Sequence, residues 1–568
     1  MEEGDWKGKE INSWRGTVFV KKVVSLYFRH LGRLTLMKRY ILLIISILCL
    51  LFPSCGKQGK VDDMSIIPEP VFAIQKGEHF TLSRKTHICF ENIGQNSDIA
   101  RYVSQSFRKM RIRPVIIGTP EKNCLTLSIN RTRNIEIGDE GYQLDIDPDG
   151  ITISANTEAG LFYGFQSLRQ ILPDDIVEKR YRRIELPECT LLDYPRFEWR
   201  GIMMDECHHF QKVSEVKKTL QLMAAHKMNR LILTIQEGNV WRLNMDAMPE
   251  YESVDVWSGD ELKELSDYAR EMHITLVPGI DLSALSRYSD DPVTIEAICD
   301  EVMRLIPSGY LHVGAIDSVA SPTLSHLERH LGEQGCRMIC WMPEAIDSLS
   351  PSTILMPRHS TNEALRALQH GHDVVMCQEE FCNLYNDQCN AAYVQQPTGV
   401  RLPLAKVYRY TPMPSGINDN EKKHILGAQA LMLTHNITSQ KRLEYTLLPR
   451  LCAFAEDLWT PSKAKDWSRF RRKIEQQKDR LASRGYTCCA GSFQPSILQT
   501  HIAGGQLQVM LEAEVFGTHY HYTTDGTEPD MDAPVYSGAL TLTKGTLLRV
   551  QAYYRGKFRE GIYEFVIQ

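Results

Sequence analysis

The sequence predicts an α/β protein: a (β/α)8 TIM barrel preceded by a small α+β domain and followed by a small β-sandwich. Three observations carry this. Between about residues 195 and 460 short apolar runs alternate with segments of helical spacing, over a span close to the ~250 residues of such a barrel. Residues 69–190 mix alternating strand-like runs with one clear helix. Residues 493–568 are rich in strand patterns.

A chain of 568 residues has room for several domains, each with its own core. Charged residues make up 24% and the net charge is −5, so neither a nucleic acid nor an acidic polymer is implied as partner.

Lys38-Arg39 ahead of the apolar run Tyr40 to Phe52 has the size of a secretory h-region and is too short to span a membrane comfortably. Phe52-Pro53-Ser54-Cys55 resembles a loose bacterial lipobox. Cys55 is therefore the expected lipidated first residue of an exported protein, tethered at the periplasmic or outer-membrane surface. With Met37 as the start, residues 1–36 are an upstream extension, 37–55 the signal peptide and 56–68 a polar linker.

In the α+β domain, 69–192, Tyr142-Gln143-Leu144-Asp145-Ile146 and Ile151-Thr152-Ile153-Ser154-Ala155 alternate around Asp147-Pro148-Asp149-Gly150 and read as a hairpin. A helix follows from Ala159. In the barrel, 193–462, Gly201 to Met204 is strand one, Val213 to His226 its helix and Leu231 to Ile235 strand two. Glu261 to Met272 is a helix and Ile274 to Ile280 strand three. Residues 463–490 read as a solvated helix leading away from the barrel, and 491–568 as the sandwich. Fifteen scattered cysteines without zinc-type spacing predict buried free thiols, although an oxidising compartment permits isolated bridges. Cys207-His208-His209 lacks a third and fourth ligand in register, so no metal is expected there, and no other cofactor.

Residues 193–205, Asp-Tyr-Pro-Arg-Phe-Glu-Trp-Arg-Gly-Ile-Met-Met-Asp, are followed by His209-Phe210. Further on stands His312-Val313-Gly314-Ala315-Ile316-Asp317. Together they resemble the β-N-acetylhexosaminidases of glycoside hydrolase family 20, which carry an Arg-His-Phe signature after strand one and His-x-Gly-Gly-Asp-Glu at strand four. The resemblance covers roughly residues 70 to 565 and includes Ala159-Gly160-Leu161-Phe162-Tyr163-Gly164-Phe165-Gln166-Ser167-Leu168, similar to the helix closing the family's N-terminal domain. His521-Tyr522-Thr523-Thr524-Asp525-Gly526-Thr527-Glu528-Pro529 is similar to a signature of small sandwiches appended to bacterial glycosidases.

The resemblance implies N-acetylhexosamine-containing glycans as partner and a retaining mechanism without a carboxylate nucleophile. The substrate's acetamido oxygen attacks the anomeric carbon, an Asp steadies the charging acetamido group and the next Glu protonates the leaving oxygen. Here the Asp position is Ile316 and the Glu position is Asp317, so Asp317 is the only candidate acid of the pair and its side chain is one methylene short. The expected outcome is weak or absent hydrolysis, a pseudoenzyme.

Other family positions depart likewise. His-Trp-His-Leu-Thr-Asp-Asp-Gln-x-Trp-Arg is replaced by residues 232–242, which keep only Trp241 and Arg242 and place Glu237 at an acid position. Pro278-Gly279-Ile280-Asp281-Leu282-Ser283-Ala284-Leu285 lacks the histidine that supports the acid. Tyr-x-Asp aligns with Asn383-Leu384-Tyr385, and Trp-Thr-Glu with Leu433-Thr434-His435. The substrate-binding candidates are thus Arg200, which the resemblance implies binds ring hydroxyls, with Glu237, Trp241, Asp281, Trp341 and Tyr385. Plainer roles stand beside these: Arg200 pairing with Asp205, Trp241 as packing, Asp281 as a strand-end scaffold.

Two alternatives stay open. One is a working glycosidase with Asp317 as acid and Glu237, Asp281 or Glu379 stabilising charge; the other is a structural or interaction protein. A mouth plugged by Ile316, Leu285 and Leu433 would favour the latter.

Overall fold

The computed structural model describes residues 58–60 and 64–568, apart from 113, 177, 178, 180, 248–254, 290 and 390–396. The expected upstream extension and the export segment with Cys55 lie outside the described residues.

Eight parallel strands close into a barrel. They are β1 (Trp199–Asp205), β2 (Arg230–Thr234), β3 (Thr275–Gly279), β4 (Tyr310–His312), β5 (Arg337–Trp341), β6 (Ile354–Met356), β7 (Val374–Met376) and β8 (Ile425–Met432). β8 pairs β1 with Ala428 opposite Arg200, and β1 pairs β2 with Asp205 opposite Thr234. Strand side chains alternate between faces, and the two faces fill two cores. Trp199, Met203, Ile232, Val277, Ile339, Ile354 and Val375 pack inside the barrel. Ile202, Met204, Leu231, Leu233 and Leu276 face the surrounding helices. Inside, the Trp199 indole N–H donates to Gln429 Oε1 at 2.7 Å.

The N-terminal domain is an eight-stranded sheet carrying the helices Asp98–Lys109 and Glu158–Ile171. The expected hairpin is there, with Tyr142 opposite Ala155. Part of the expected linker is folded into this domain. Gln58–Lys60 pairs in parallel with Arg183–Glu185, and Ile66 and Ile67 are buried, Ile67 held by both amide atoms of Gln170.

The charged helix Trp467–Ser483 does not lead away from the barrel. Phe470, Ile474 and Leu481 are buried, and so are Lys473 and Arg480, because Lys473 pairs with Glu69 and Arg480 with Asp174. Those charges are interface partners to the N-terminal domain, not a solvent face. Two three-stranded sheets then enclose a separate core that includes Leu507, Val509, Tyr520 and Val550.

All thirteen cysteines among the described residues are free, and all but Cys488 are buried. Cys389 and Cys489 bring their sulfurs to 2.6 Å. Among the described residues no helix is long and apolar enough to cross a membrane.

Candidate functional site

In a barrel of this kind the functional face is at the carboxyl ends of the strands. β1 ends in Asp205, which is 1% exposed. Its Oδ1 accepts the Cys207 N–H at 2.8 Å, and its Oδ2 lies 2.6 Å from His208 Nδ1. The turn carrying His208 is clamped from behind by Arg242, whose guanidinium donates to the carbonyls of Glu206 at 2.7 Å and Cys207 at 2.6 Å.

From the neighbouring strand end, Thr434 donates its hydroxyl to the Asp205 carbonyl at 2.7 Å. His435 follows it and lays its ring on that of His208, with centroids 3.6 Å apart and planes 35° from parallel. β2 runs into a two-residue ribbon, Gln236–Glu237 against Val240–Trp241. Gly238 turns it at φ +56°, a region that costs glycine little. The ribbon presents Glu237 with Oε2 at 3.7 Å from His208 Nδ1. Burial, then the nearby Asp205 charge, raises the Glu237 carboxyl above the usual range.

The other half of the mouth comes from β4 to β7. His312 is buried, and burial followed by the Arg358 charge pushes its pKa down to about 3, so the ring is neutral. It meets the Trp341 ring edge-on at 4.8 Å. The Arg358 guanidinium lies 4.8 Å from the same indole and pairs with Glu379 at 2.6 Å. Asn383 Nδ2 donates to the Tyr385 hydroxyl at 3.0 Å.

Gly314 takes φ +70°, and a Cβ there would meet the Ile280 carbonyl at 3.0 Å, so the chain beyond β4 turns on a glycine. The turn buries Ile316, 2% exposed, in the same apolar cluster as Leu285. Asp317 is exposed, with Oδ1 accepting the Glu344 N–H at 2.7 Å. Leu433 is half-buried.

Of the candidate residues, Glu237, Trp341 and Tyr385 flank the mouth. Asp281 is at the β3 end, where its carboxylate caps the helix Leu282–Tyr288 through the Ala284 N–H. Trp241 is 1% exposed and belongs to the core.

Arg200 does not reach the barrel mouth. It follows the inward-facing Trp199 on β1, so it points out of the barrel, five residues before the strand's functional end. There it is fully buried against the N-terminal domain. It forms a two-pronged pair with Glu140, both bonds 2.8 Å, and donates to the Lys227 carbonyl. Burial alone would raise the Glu140 carboxyl, but the Arg200 charge outweighs it and holds the group below its ordinary value. Its partner is thus neither a sugar nor Asp205.

Sequence reasoning did not assign His208, His435, Arg358 or the clamp made by Arg242. His435 had a signal, an imidazole at a strand end in place of an acid. Asp205 stands only three residues before His208, but His435 joins them only when β8 closes onto β1.

The comparisons with known proteins agree with this architecture. Residues 63–194 match the model of glycosyl hydrolase family 20 domain 2, and residues 197–290 and 315–462 match the family 20 catalytic domain. β4 lies between the two matched stretches. Residues 509–567 match the Fn3-associated model. A β-hexosaminidase of Porphyromonas gingivalis is 24% identical over 571 residues, covering 87% of this chain and 73% of the relative. One from Vibrio furnissii is 24% identical, covering 69% of this chain and 76% of its own.

Among solved structures, the N-acetyl-β-hexosaminidase of Streptomyces plicatus superposes with a TM-score of 0.67 at 22% identity, over 75% of this chain and 97% of that one. A Vibrio harveyi exo-β-N-acetylglucosaminidase with bound N-acetylglucosamine gives 0.66 at 21% identity, over 76% and 79%. With two family models covering the N-terminal domain and most of the barrel, the chain belongs to glycosyl hydrolase family 20 and is a homologue of its β-hexosaminidases.

Proposed function

We propose that this chain engages N-acetylhexosamine-containing glycans at a membrane surface and hydrolyses them weakly or not at all. One observation carries the reading: at the position of the carboxylate that would steady a charging acetamido group stands Ile316, buried in apolar packing. A hydrocarbon neither accepts a hydrogen bond nor offsets positive charge. Asp317 remains beside it, but one of its oxygens is held by the Glu344 backbone. Losing a positioned general acid costs roughly 10²–10⁴ in rate, and a misplacement on the order of 1 Å costs about a hundredfold.

Hydrolysis of a chromogenic N-acetylglucosaminide tests this. Purified protein is expected to turn over at least ~100-fold below an intact relative, as for a lost general acid, and Asp317→Asn to leave that rate unchanged. Clear turnover abolished by Asp317→Asn sinks the proposal in favour of a working glycosidase with Asp317 as acid. Titration with N-acetylglucosamine oligomers decides the binding half, and no detectable binding leaves a structural or interaction role.

The membrane location rests on the export segment and Cys55. Cys55→Ala is expected to move the protein from the membrane fraction to the soluble fraction; an unchanged distribution counts against a lipid anchor.

A further inference from the structure

Asp205 and His208, three residues apart at the end of β1, meet His435 from the end of β8 at the barrel mouth. One ligand atom of each lies within 4.8 Å of the others. We propose that these three residues bind a divalent transition ion of the zinc class, with Glu237 on the open side as a fourth ligand or as the partner of a bound water.

The donor set selects the ion. Two imidazoles and a carboxylate suit zinc, cobalt or nickel, whereas calcium and magnesium favour oxygen ligands throughout. The local charge also favours a cation, because Asp205 and Glu237 both face the pair of rings. Two rings stacked 3.6 Å apart offer lone pairs that one ion can share. Asp205 Oδ2 and His208 Nδ1 are 2.6 Å apart and so already face one point. One ion can take both atoms as ligands.

The supports are in place. The Cys207 N–H fixes the other Asp205 oxygen, and Arg242 fixes the turn that carries His208. The sequence adds an independent sign. His208 stands where the Arg-His-Phe signature has arginine, and His435 where Trp-Thr-Glu has an acid. An arginine there would repel a cation. Two separate replacements have each put a ligating ring at one place.

The test uses untagged protein, dialysed against a chelator and titrated calorimetrically with zinc chloride. One equivalent is expected to bind, and His208→Ala or His435→Gln to weaken it at least tenfold. Both rings are partly exposed, so neither change is expected to alter thermal unfolding without metal. Cobalt chloride gives a second readout: visible bands of a nitrogen- and oxygen-ligated ion with no thiolate charge-transfer band. Absence of binding, binding that both variants retain in full, or a thiolate band from nearby Cys207 would each overturn the proposal. None of these outcomes depends on whether the protein recognises a glycan.

Discussion

Replacing Asp193 by alanine is expected to lower stability by about 3–5 kcal/mol, because it strands a buried lysine charge. Asp193 and Lys227 are both fully buried and 2.6 Å apart. The same carboxylate accepts from the Tyr142 hydroxyl at 2.6 Å, the Trp459 indole at 2.8 Å and the Val71 amide at 3.1 Å. Those donors come from the N-terminal domain and from the helix Arg450–Trp459 beside the barrel, so one side chain ties the two together. Burial pulls the Lys227 pKa down and the Asp193 charge opposes it, so losing Asp193 leaves only the penalty.

Asp193→Asn keeps an acceptor for the indole, and adding Lys227→Met removes the stranded charge. Denaturant unfolding is expected to show the double variant losing less than half of what Asp193→Ala loses. A double variant as unstable as the alanine variant would mean that hydrogen bonds, not the unpaired charge, dominate.

Much of this fold was legible because the barrel repeats a simple rule. Each strand is a short apolar run, and each helix shows an apolar stripe, as in Val213–Ala225 with Val216, Leu220 and Met223 buried. Boundaries came within a residue or two: strand three was read as Ile274 to Ile280 and is Thr275–Gly279. The helix Trp467–Ser483 misled because a basic residue looks the same in sequence whether it faces water or a buried acid. The acids of Lys473 and Arg480 lie some 300–400 positions away.

The site was legible only as far as single strands carry it. The change at Ile316 is local to one turn and visible in the sequence. Arg200 misled because its neighbours on β1 matched a family motif while the side chain faces the wrong way, and only the burial of Trp199 inside the barrel decides which way that is. His208 and His435 are 227 positions apart, His435 minus His208, and become neighbours through barrel closure alone.

Acid is expected to destabilise the protein through His226, starting well above the usual carboxylate range. This ring is fully buried at the end of the helix Val213–Ala225, and burial pushes its pKa from 6.5 down to about 4. The charges of Arg484, Arg480 and Lys227 push the same way. Nδ1 donates to the Leu222 carbonyl at 2.9 Å, which leaves Nε2 as the acceptor. Nε2 receives the Gln477 amide N–H at 2.9 Å and faces the Cys452 thiol at 3.3 Å. Gln477 is held from turning by Arg480, which donates to its Oε1 at 2.9 Å. A proton arriving on Nε2 therefore meets two donors and no acceptor.

The unfolded chain binds this proton more readily than the folded one. The contribution is fully present above pH 6.5 and is lost as pH falls through about 4. At about 1.36 kcal/mol per pH unit, the loss over that window is about 3 kcal/mol. His226→Gln retains a donor for Leu222 and an acceptor for Gln477 but cannot titrate. Unfolding midpoints measured from pH 7 to pH 4 are expected to fall less steeply in that variant, so that it gains on the unsubstituted protein toward acid. Parallel curves would show that the proton is taken up elsewhere, with His273, also depressed to about 4 by burial, the next group to replace.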